Sequence, residues 1–469
     1  MKILVGSAWP YANESLHMGQ IAAWLPADVI ARYHRAKGDD VYFVSGSDCH
    51  GEPVALKAKE QGCRPQEVSD CYHAMFKQCF RKLGFSFDCY TKTTYVEHKE
   101  FVRDFHRRLY RSPYVYEKDS LDGEGKQMYI ALSQLRNQLE NLIHVHTEWG
   151  ENVIAESQKY VDLGLKDMPL TTNLEWGIDV PHLGFENKHI YVWAENVLGY
   201  LSASKICAER RGEEFKELWG DDAKHYYVYG KENISFHTML LPGMLAAHGE
   251  GYHLPDQMVA AEKMTMDGKK MLLDDDMLKA YDADSIRYYL LAEGPQDKEV
   301  EFSFKELADC HNHMLVEQYS NFVNRIMVFI EKYYNRHVPE GCLDTRLGEQ
   351  IDILYKKTGA WIEQGKCREA LQEIFAEIDR ETRYLEKRKP WQMVDDDAYE
   401  CANILYNSLQ VAANVTVMLH PFLPFATEKL MHNLSLQCFW DTQVIEPGYR
   451  LGYMKPLFSY ENSSILLKK

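Results

Sequence analysis

Over roughly the first 110 residues, short apolar runs alternate with amphipathic stretches. Lys2–Val5 reads as a short strand, and Ile21–Lys37 as a helix with Gly38 just past its end. Pro26 falls inside that helix, so a kink or a late start is expected there. Val41–Ser45 is a continuous apolar run of the kind buried in a parallel sheet, and it opens into the loop Gly46-Ser47-Asp48-Cys49-His50-Gly51. Helices are expected from Pro53 and Pro65, each proline suited to a first turn. This order is that of a nucleotide-binding α/β sheet, whose ligands sit at the carboxyl ends of parallel strands.

From about Pro113 to Pro181 the alternation breaks. Met128–Ile143 and Asn152–Leu165 read as helices and Pro169–Pro181 as an extended connection, together an inserted module between two halves of one sheet. The strand–helix pattern returns with a strand at His189–Trp193, a helix at Asn196–Ala208 and a strand at His225–Tyr229. Gly230-Lys231 and a helix through Ser235–Ala247 follow. Gln257–Thr265 and the turn Asp267-Gly268 read as a hairpin carrying Lys269, Lys270 and Met271. Beyond about Lys305, apolar residues recur at three- and four-residue steps in His313–Tyr334, Ile351–Gln364, Leu371–Leu385 and Ala402–Leu419, the mark of a helical bundle. One late apolar run, Tyr453–Tyr460, is expected to return to the body.

The 469 residues are enough for about three domains. With 45% hydrophobic and 26% charged residues the chain can bury a large core, which excludes a disordered or fibrous protein. No apolar run is long enough to span a membrane and the start carries no cleavable leader, so a cytoplasmic location is expected. A net charge of −17 excludes a general basic surface for nucleic acid, though not a local patch. Cys63, Cys71, Cys79 and Cys89 are 8, 8 and 10 residues apart, and no C-x-x-C pair occurs anywhere. A thiolate zinc site is therefore not expected, and the cysteines read as reduced thiols, mostly buried.

Trp9-Pro10-Tyr11-Ala12-Asn13 leads from the first strand into His17-Met18-Gly19-Gln20 at a helix start. Imidazole and amide groups at a helix amino end can bind phosphate oxygens, and glycine lets a flat purine approach the backbone. The same residues also suit a capped helix with a packing histidine. Lys269 and Lys270 either clamp a triphosphate or form a solvated loop tip.

Taken together, these words resemble the HIGH and KMSKS signatures of class I aminoacyl-tRNA synthetases, and within that class the methionyl-tRNA synthetase family. Pro10-Tyr11-Ala12-Asn13 before His17 is similar to the family's PYANG-x-x-H, and Asp48-Cys49-His50-Gly51-x-Pro53 to its DDxHGxP. Tyr191-Val192-Trp193 with Gly199-Tyr200 resembles YVW…GY, and Asp282-Ala283-Asp284-Ser285-x-Arg287-Tyr288-Tyr289 resembles DADxxRYY. Gly230-Lys231 with Phe236-His237 completes the set. The likeness covers about residues 2–330 and continues weakly to Lys389-Pro390-Trp391.

The resemblance implies an α/β fold: a Rossmann catalytic domain whose halves, residues 1–112 and 182–304, flank a reduced insert at 113–181. A helical, anticodon-binding-like bundle and tail fill 305–469. It implies that Asp48 holds a substrate ammonium, with Trp9, Tyr11, Trp193, Asn196, Val197, Tyr200 and His237 around the side chain. His17, Gly19, Gln20, Gly230, Glu232, Lys269 and Lys270 would contact ATP, with His17, Gln20 and Lys270 acting on its phosphates. ATP with Mg²⁺ would convert methionine or an analogue to an adenylate, with tRNA as the expected acceptor and no protein-held metal. A non-tRNA acceptor, or a non-catalytic amino-acid- or tRNA-binding protein, are the alternatives.

Several positions depart from the family pattern. Gln20 replaces the second histidine of HIGH, and Leu272, Leu273 and Asp274 replace the serine, lysine and serine of KMSKS. Losing a phosphate-clamping lysine should cost roughly 2–4 kcal/mol of transition-state stabilisation, which Lys269 would offset in part. Asp274, Asp275 and Asp276 would repel pyrophosphate unless they help hold Mg²⁺. Asn196 sets an amide where the family has a small apolar residue, so either it meets a more polar substrate or it points away. Tyr116 reaches Met128 without the cysteine pairs of the family's zinc knuckle, and Thr172 stands where SRD has arginine. Arg383, Lys387, Arg388 and Lys389 form a basic strip on the bundle, either for tRNA or simply solvated.

Overall fold

The computed structural model describes residues 1–120, 125–273 and 275–460. Its centre is a five-stranded, wholly parallel sheet in the order β10-β9-β1-β2-β3. These strands are β1 (Lys2–Ser7), β2 (Asp40–Ser47), β3 (Cys89–Lys92), β9 (Ala223–Gly230) and β10 (Gln257–Ala261). Both faces are covered by helices, so β1, β2 and β9 are apolar along almost their whole length, as burial on two sides requires. Strand order reverses between β1 and β9, the point beyond whose carboxyl ends open α/β sheets bind their ligands.

α1 (Met18–Ala36) starts three residues before the expected position and passes Pro26 unbroken. The proline removes one ladder hydrogen bond, but buried Ile21, Leu25, Val29 and Ile30 hold the helix within the core. α2 (Glu52–Gln61), α3 (Pro65–Lys82) and α4 (Val96–Leu109) complete the first half.

The insert corrects the sequence reading. Met128–Ile130 is not helical but lies in β5 (Lys126–Ile130), antiparallel to β4 (Val115–Asp119) and, by its end, to β6 (Met168–Pro169). Met128 and Ile130 are buried while Gln127 and Tyr129 are not, a period of two that only the partner strand selects over helix. A 3₁₀ turn at Leu132–Leu135 leads to α5 (Arg136–Val145), then α6 (Glu151–Asp162). The strand expected at His189–Trp193 shrinks to β8 (His189–Ile190), paired with β7 (Thr171–Thr172), and Trp193 lies instead on α7 (Val192–Asn196).

α8 (Gly199–Arg211) and α9 (Phe215–Leu218) precede β9, and a π-helical turn at Phe236–Leu240 runs into α10 (Leu241–His248). The expected hairpin is also corrected: β10 joins the central sheet, and β11 (Met264–Thr265) pairs in parallel with distant β12 (Val300–Glu301). Only the tight Met266–Lys269 turn remains of it. α11 (Asp275–Ala280) and α12 (Ala283–Ala292) lie before β12, and α13 (Phe304–Cys310) follows it. The bundle comprises a π-helical stretch at His311–Ser320, α14 (Asn321–Tyr334), α15 (Thr345–Glu363), α16 (Cys367–Arg388), α17 (Ala398–Leu419) and α18 (Pro424–Leu434). The tail returns to it: the Ser320 hydroxyl accepts from the Leu457 amide, and Phe458 is buried. Among the described residues no helix is long and apolar enough to cross a membrane.

Catalytic half and bundle are joined through Arg287 of α12, which is fully buried. Its guanidinium donates to Asp28 of α1 at 2.7 Å, to the Leu83 carbonyl, and to the Pro421 and Phe422 carbonyls before α18. Burial pushes the Asp28 carboxyl up, but Arg32 and Arg287 outweigh it and hold it far below the usual range. Arg287→Ala is expected to destabilise the protein by about 3–5 kcal/mol, because three carbonyls lose their donor and the buried Asp28 carboxylate keeps only Arg32 as a charged partner. Urea unfolding checks this, and a loss below about 1 kcal/mol contradicts it.

Candidate active site

The loops that follow β1 and β2 are stitched together. The Asp48 amide donates to the Pro10 carbonyl at 2.8 Å, and the Ala12 amide to the Asp48 carbonyl at 2.7 Å. Trp9 lies flat between two glycines: a Cβ on Gly46 would fall 2.5 Å from its ring and one on Gly199 2.6 Å away. These two positions therefore exclude any side chain.

Asp48 is 1% exposed, and no cation pairs with it among the described residues. The Asn196 Nδ2 donates to its Oδ2 at 2.8 Å, and the His50 amide lies 3.4 Å from Oδ1. Burial first, and then the charge of Glu195, push the Asp48 carboxyl well above the usual range. Glu195 is equally buried but differently served. His50 Nδ1 donates to its Oε1 at 2.5 Å, and His98 Nε2 lies 3.6 Å from the same atom. Burial raises Glu195, but the imidazoles outweigh it and keep this group ionised. His98 is oriented by Ser202 at 2.7 Å. The site thus holds one carboxylate whose Oε1 is paired with imidazole while its Oε2 has no partner, and one with no cationic partner among the described residues.

An aromatic box stands beside Asp48. Trp193 meets Tyr11 edge-on at 6.0 Å and stacks on Phe236 at 3.9 Å. Val197 and Tyr200 are fully buried behind them. The Tyr200 hydroxyl donates to His237 Nε2 at 2.8 Å, and His237 Nδ1 donates to the Asn233 carbonyl at 2.9 Å. Burial lowers His237 to about 4, so at neutral pH this wall is uncharged and apolar.

On the nucleotide side His17 caps α1. Its Nδ1 accepts from the Gln20 amide at 3.3 Å while Gln20 Oε1 accepts from the His17 amide at 3.0 Å, a reciprocal capping box. Burial, then the nearby Lys270, lower His17 to about 4. The ring is therefore neutral at physiological pH, with its proton on Nε2. The lysine loop runs alongside: the Met18 amide donates to Met271 O at 2.8 Å and the Leu273 amide to Leu16 O at 2.7 Å. Lys270 reaches Glu14 at 3.1 Å, whereas exposed Lys269 pairs only through its backbone, with Met266. Gly19 packs close under Met264, and Gly230 ends β9 beside the exposed Glu232, whose carboxylate a Cβ would meet at 2.6 Å. The charge expectation for Asp274, Asp275 and Asp276 lies outside the described side chains.

Of the residues singled out from the sequence, Tyr11, Asp48 and Asn196 meet directly, Tyr11 meets Trp193, Tyr200 bonds His237, and His17 and Gln20 share the start of α1 with the lysine loop. Sequence reasoning missed the roles of Glu195, Glu14, Gly46 and Gly199, and of His50 as a partner to a second carboxylate. A buried-looking acid inside an aromatic run was the available signal for Glu195.

A split parallel sheet with a capped helix start, a docked lysine loop and a buried carboxylate at its switch point defines an α/β nucleotide-dependent enzyme of the class I synthetase type. The family described as tRNA synthetases class I (M) matches residues 3–123 and 122–327, and the anticodon-binding domain of tRNA ligases matches 346–457. The methionine--tRNA ligase of Bacillus cereus (strain Q1) is 37% identical over 527 residues, covering 98% of this chain and 96% of its own. Methionine--tRNA ligase 2 of Bacillus anthracis is 37% identical over 526 residues with the same coverage. The methionyl-tRNA synthetase of Mycobacterium tuberculosis, solved with methionyl-adenylate, superposes with a TM-score of 0.88 at 21% identity, over 98% of this chain and 100% of that one. The chain belongs to the methionyl-tRNA synthetase family.

Asp48→Asn keeps the hydrogen bond from Asn196 and removes the buried charge. With its carboxyl raised, the folded wild type holds the proton more tightly than the unfolded chain. Its stability therefore falls as pH rises from the ordinary carboxylate range through the raised value. Ligand-free Asp48→Asn is expected to melt above the wild type at neutral pH, the gap closing toward about pH 4. Thermal unfolding across pH checks this, and a gap that widens on acidification contradicts it.

Proposed function

We propose that the protein activates methionine with ATP and transfers it to tRNA. The observation that supports this most is the fully buried, cation-free carboxylate of Asp48, set between an uncharged aromatic box and a capped helix start. An α-ammonium answers that carboxylate, and the box formed by Tyr11, Trp193, Val197, Tyr200 and His237 suits an unbranched thioether. Because Asn196 is bonded to Asp48, its amide makes no demand for a polar substrate side chain.

The amino-acid carboxylate attacks the α-phosphorus, the new O–P bond forms as the Pα–O–Pβ bridge breaks, and pyrophosphate leaves. The work of this chain's residues is positioning and charge stabilisation. His17 Nε2–H and the Gln20 amide hydrogens face the phosphates from the start of α1, and Lys270 leaves Glu14 to reach them. Gly230 and Glu232 would bound the ribose side, with Gly19 admitting the purine. Mg²⁺ would arrive on the phosphates of ATP, where it would neutralise their charge.

For tRNA, the anticodon-domain match includes Trp391. Its ring borders a cavity of about 490 Å³ and lies 5.6 Å from the Arg325 guanidinium, an arrangement suited to stacking a base. The basic strip is partly neutralised: Arg383 pairs with Asp379 and Arg388 with Glu400. Lys387 and Lys389 are exposed. A cytoplasmic location fits this role.

Methionine-dependent exchange of pyrophosphate into ATP, followed by charging of bulk tRNA, tests the proposal. Exchange without charged tRNA redirects the acceptor, and no exchange with any amino acid removes the activity. Asp48→Ala is expected to weaken methionine binding by about 2–5 kcal/mol, the cost of an ammonium left without its partner. Calorimetry measures it, and unchanged affinity contradicts the assignment of Asp48.

A further inference from the structure

An asparagine side chain carries two functions on one carbon, and Asn196 uses only one of them. Its Nδ2 faces Asp48 at 2.8 Å, and the reverse orientation would set an amide oxygen against a carboxylate oxygen, acceptor on acceptor. The side chain is 4% exposed and is carried by the last residue of α7, next to Glu195. Among the described residues no hydrogen bond reaches its Oδ1, and this oxygen is not sealed in, unlike the orphaned Oε2 of Glu195. The amide oxygen therefore stands beside the Asp48 carboxylate, unpartnered among the described residues and not fully buried.

We propose that Asn196 makes the ammonium subsite a two-residue site: Nδ2 fixes the Asp48 carboxylate through one oxygen, and Oδ1 is a second acceptor for the substrate amine. The inference rests on the amino-acid-activating reading of the site. A primary ammonium brings three donors, whereas a carboxylate with about four acceptor sites, two of them engaged by the Asn196 and His50 amides, has about two left. Glu195 cannot share the task, because it is fully buried, its Oε1 is bonded to His50 and its charge is already answered. Asn196 thus acts on the amine common to all amino acids and not on the side chain. Selectivity for the thioether is left to Trp193, Val197, Tyr200 and His237.

The test pairs L-methionine with its deaminated analogue, 4-(methylthio)butanoate, which keeps the carboxylate and thioether and lacks the amine. In Asn196→Ala the KM for methionine in pyrophosphate exchange is expected to rise at least tenfold and its Kd in parallel. The KM for ATP and the Kd of the analogue should stay within twofold of the wild type. Asn196→Ser, which keeps a short donor and acceptor, is expected to fall between the two, and it carries the comparison if the alanine variant does not fold. Equal weakening of both ligands would assign Asn196 to pocket shape alone and overturn the proposal, as would unchanged methionine affinity. Wild-type protein that binds neither ligand overturns the reading of the site itself. Methionine binding indifferent to Asn196 overturns only the role of the amide.

Discussion

Two carboxylates share the dry end of one parallel sheet, and the site is organised by the way their charges are treated differently. Burying an ionised carboxylate is affordable only with compensation. Glu195 receives it from His50, with His98 close by and held by Ser202, so that four segments of chain converge on one acid. Asp48 receives only neutral N–H donors, from the Asn196 side chain and the His50 backbone. Burying Asp48 without a cationic partner costs the fold stability, and an ammonium is the kind of group that would relieve that cost. Such a trade of stability against function is common at sites that must bind charge.

Around this pair the packing is set by size. Gly46 and Gly199 let the Trp9 indole lie flat against backbone, and that ring closes the floor of the crevice. The same close approach joins the loops after β1 and β2, so the amine-binding and phosphate-binding ends cannot drift apart. The lysine loop is tied to the start of α1 by backbone hydrogen bonds on both sides of Leu272. Glu14, outside this loop, pairs with Lys270 on the surface, where an ion pair is weak enough to be exchanged for another anion.

The bundle is held at a defined angle for a related reason. Arg287 sits where α1, the end of α3 and the turn before α18 meet, and its donors are spent on three backbone carbonyls and one carboxylate. A site for the far end of a long substrate needs such a fixed relation to the reacting centre. A buried guanidinium supplies it through directional bonds that apolar packing alone does not offer.

Local sequence determined a good deal. The apolar runs at Val41–Ser45 and His225–Tyr229 could be nothing but central parallel strands, since only burial on both faces tolerates them. The words around His17, Asp48, Trp193 and Lys270 identified the family, because each combines a backbone requirement with a chemical one. What tertiary structure decided was every choice that depends on a distant partner. Met128–Ile130 is apolar enough for either helix or strand, and β4 made it a strand; Gln257–Thr265 looked like a hairpin until β9 and β12 claimed its two halves. The charge states of Asp48 and Glu195 were beyond the sequence for the same reason. A carboxylate's ionisation depends on what surrounds it in space, and those neighbours lie up to 148 residues away along the chain.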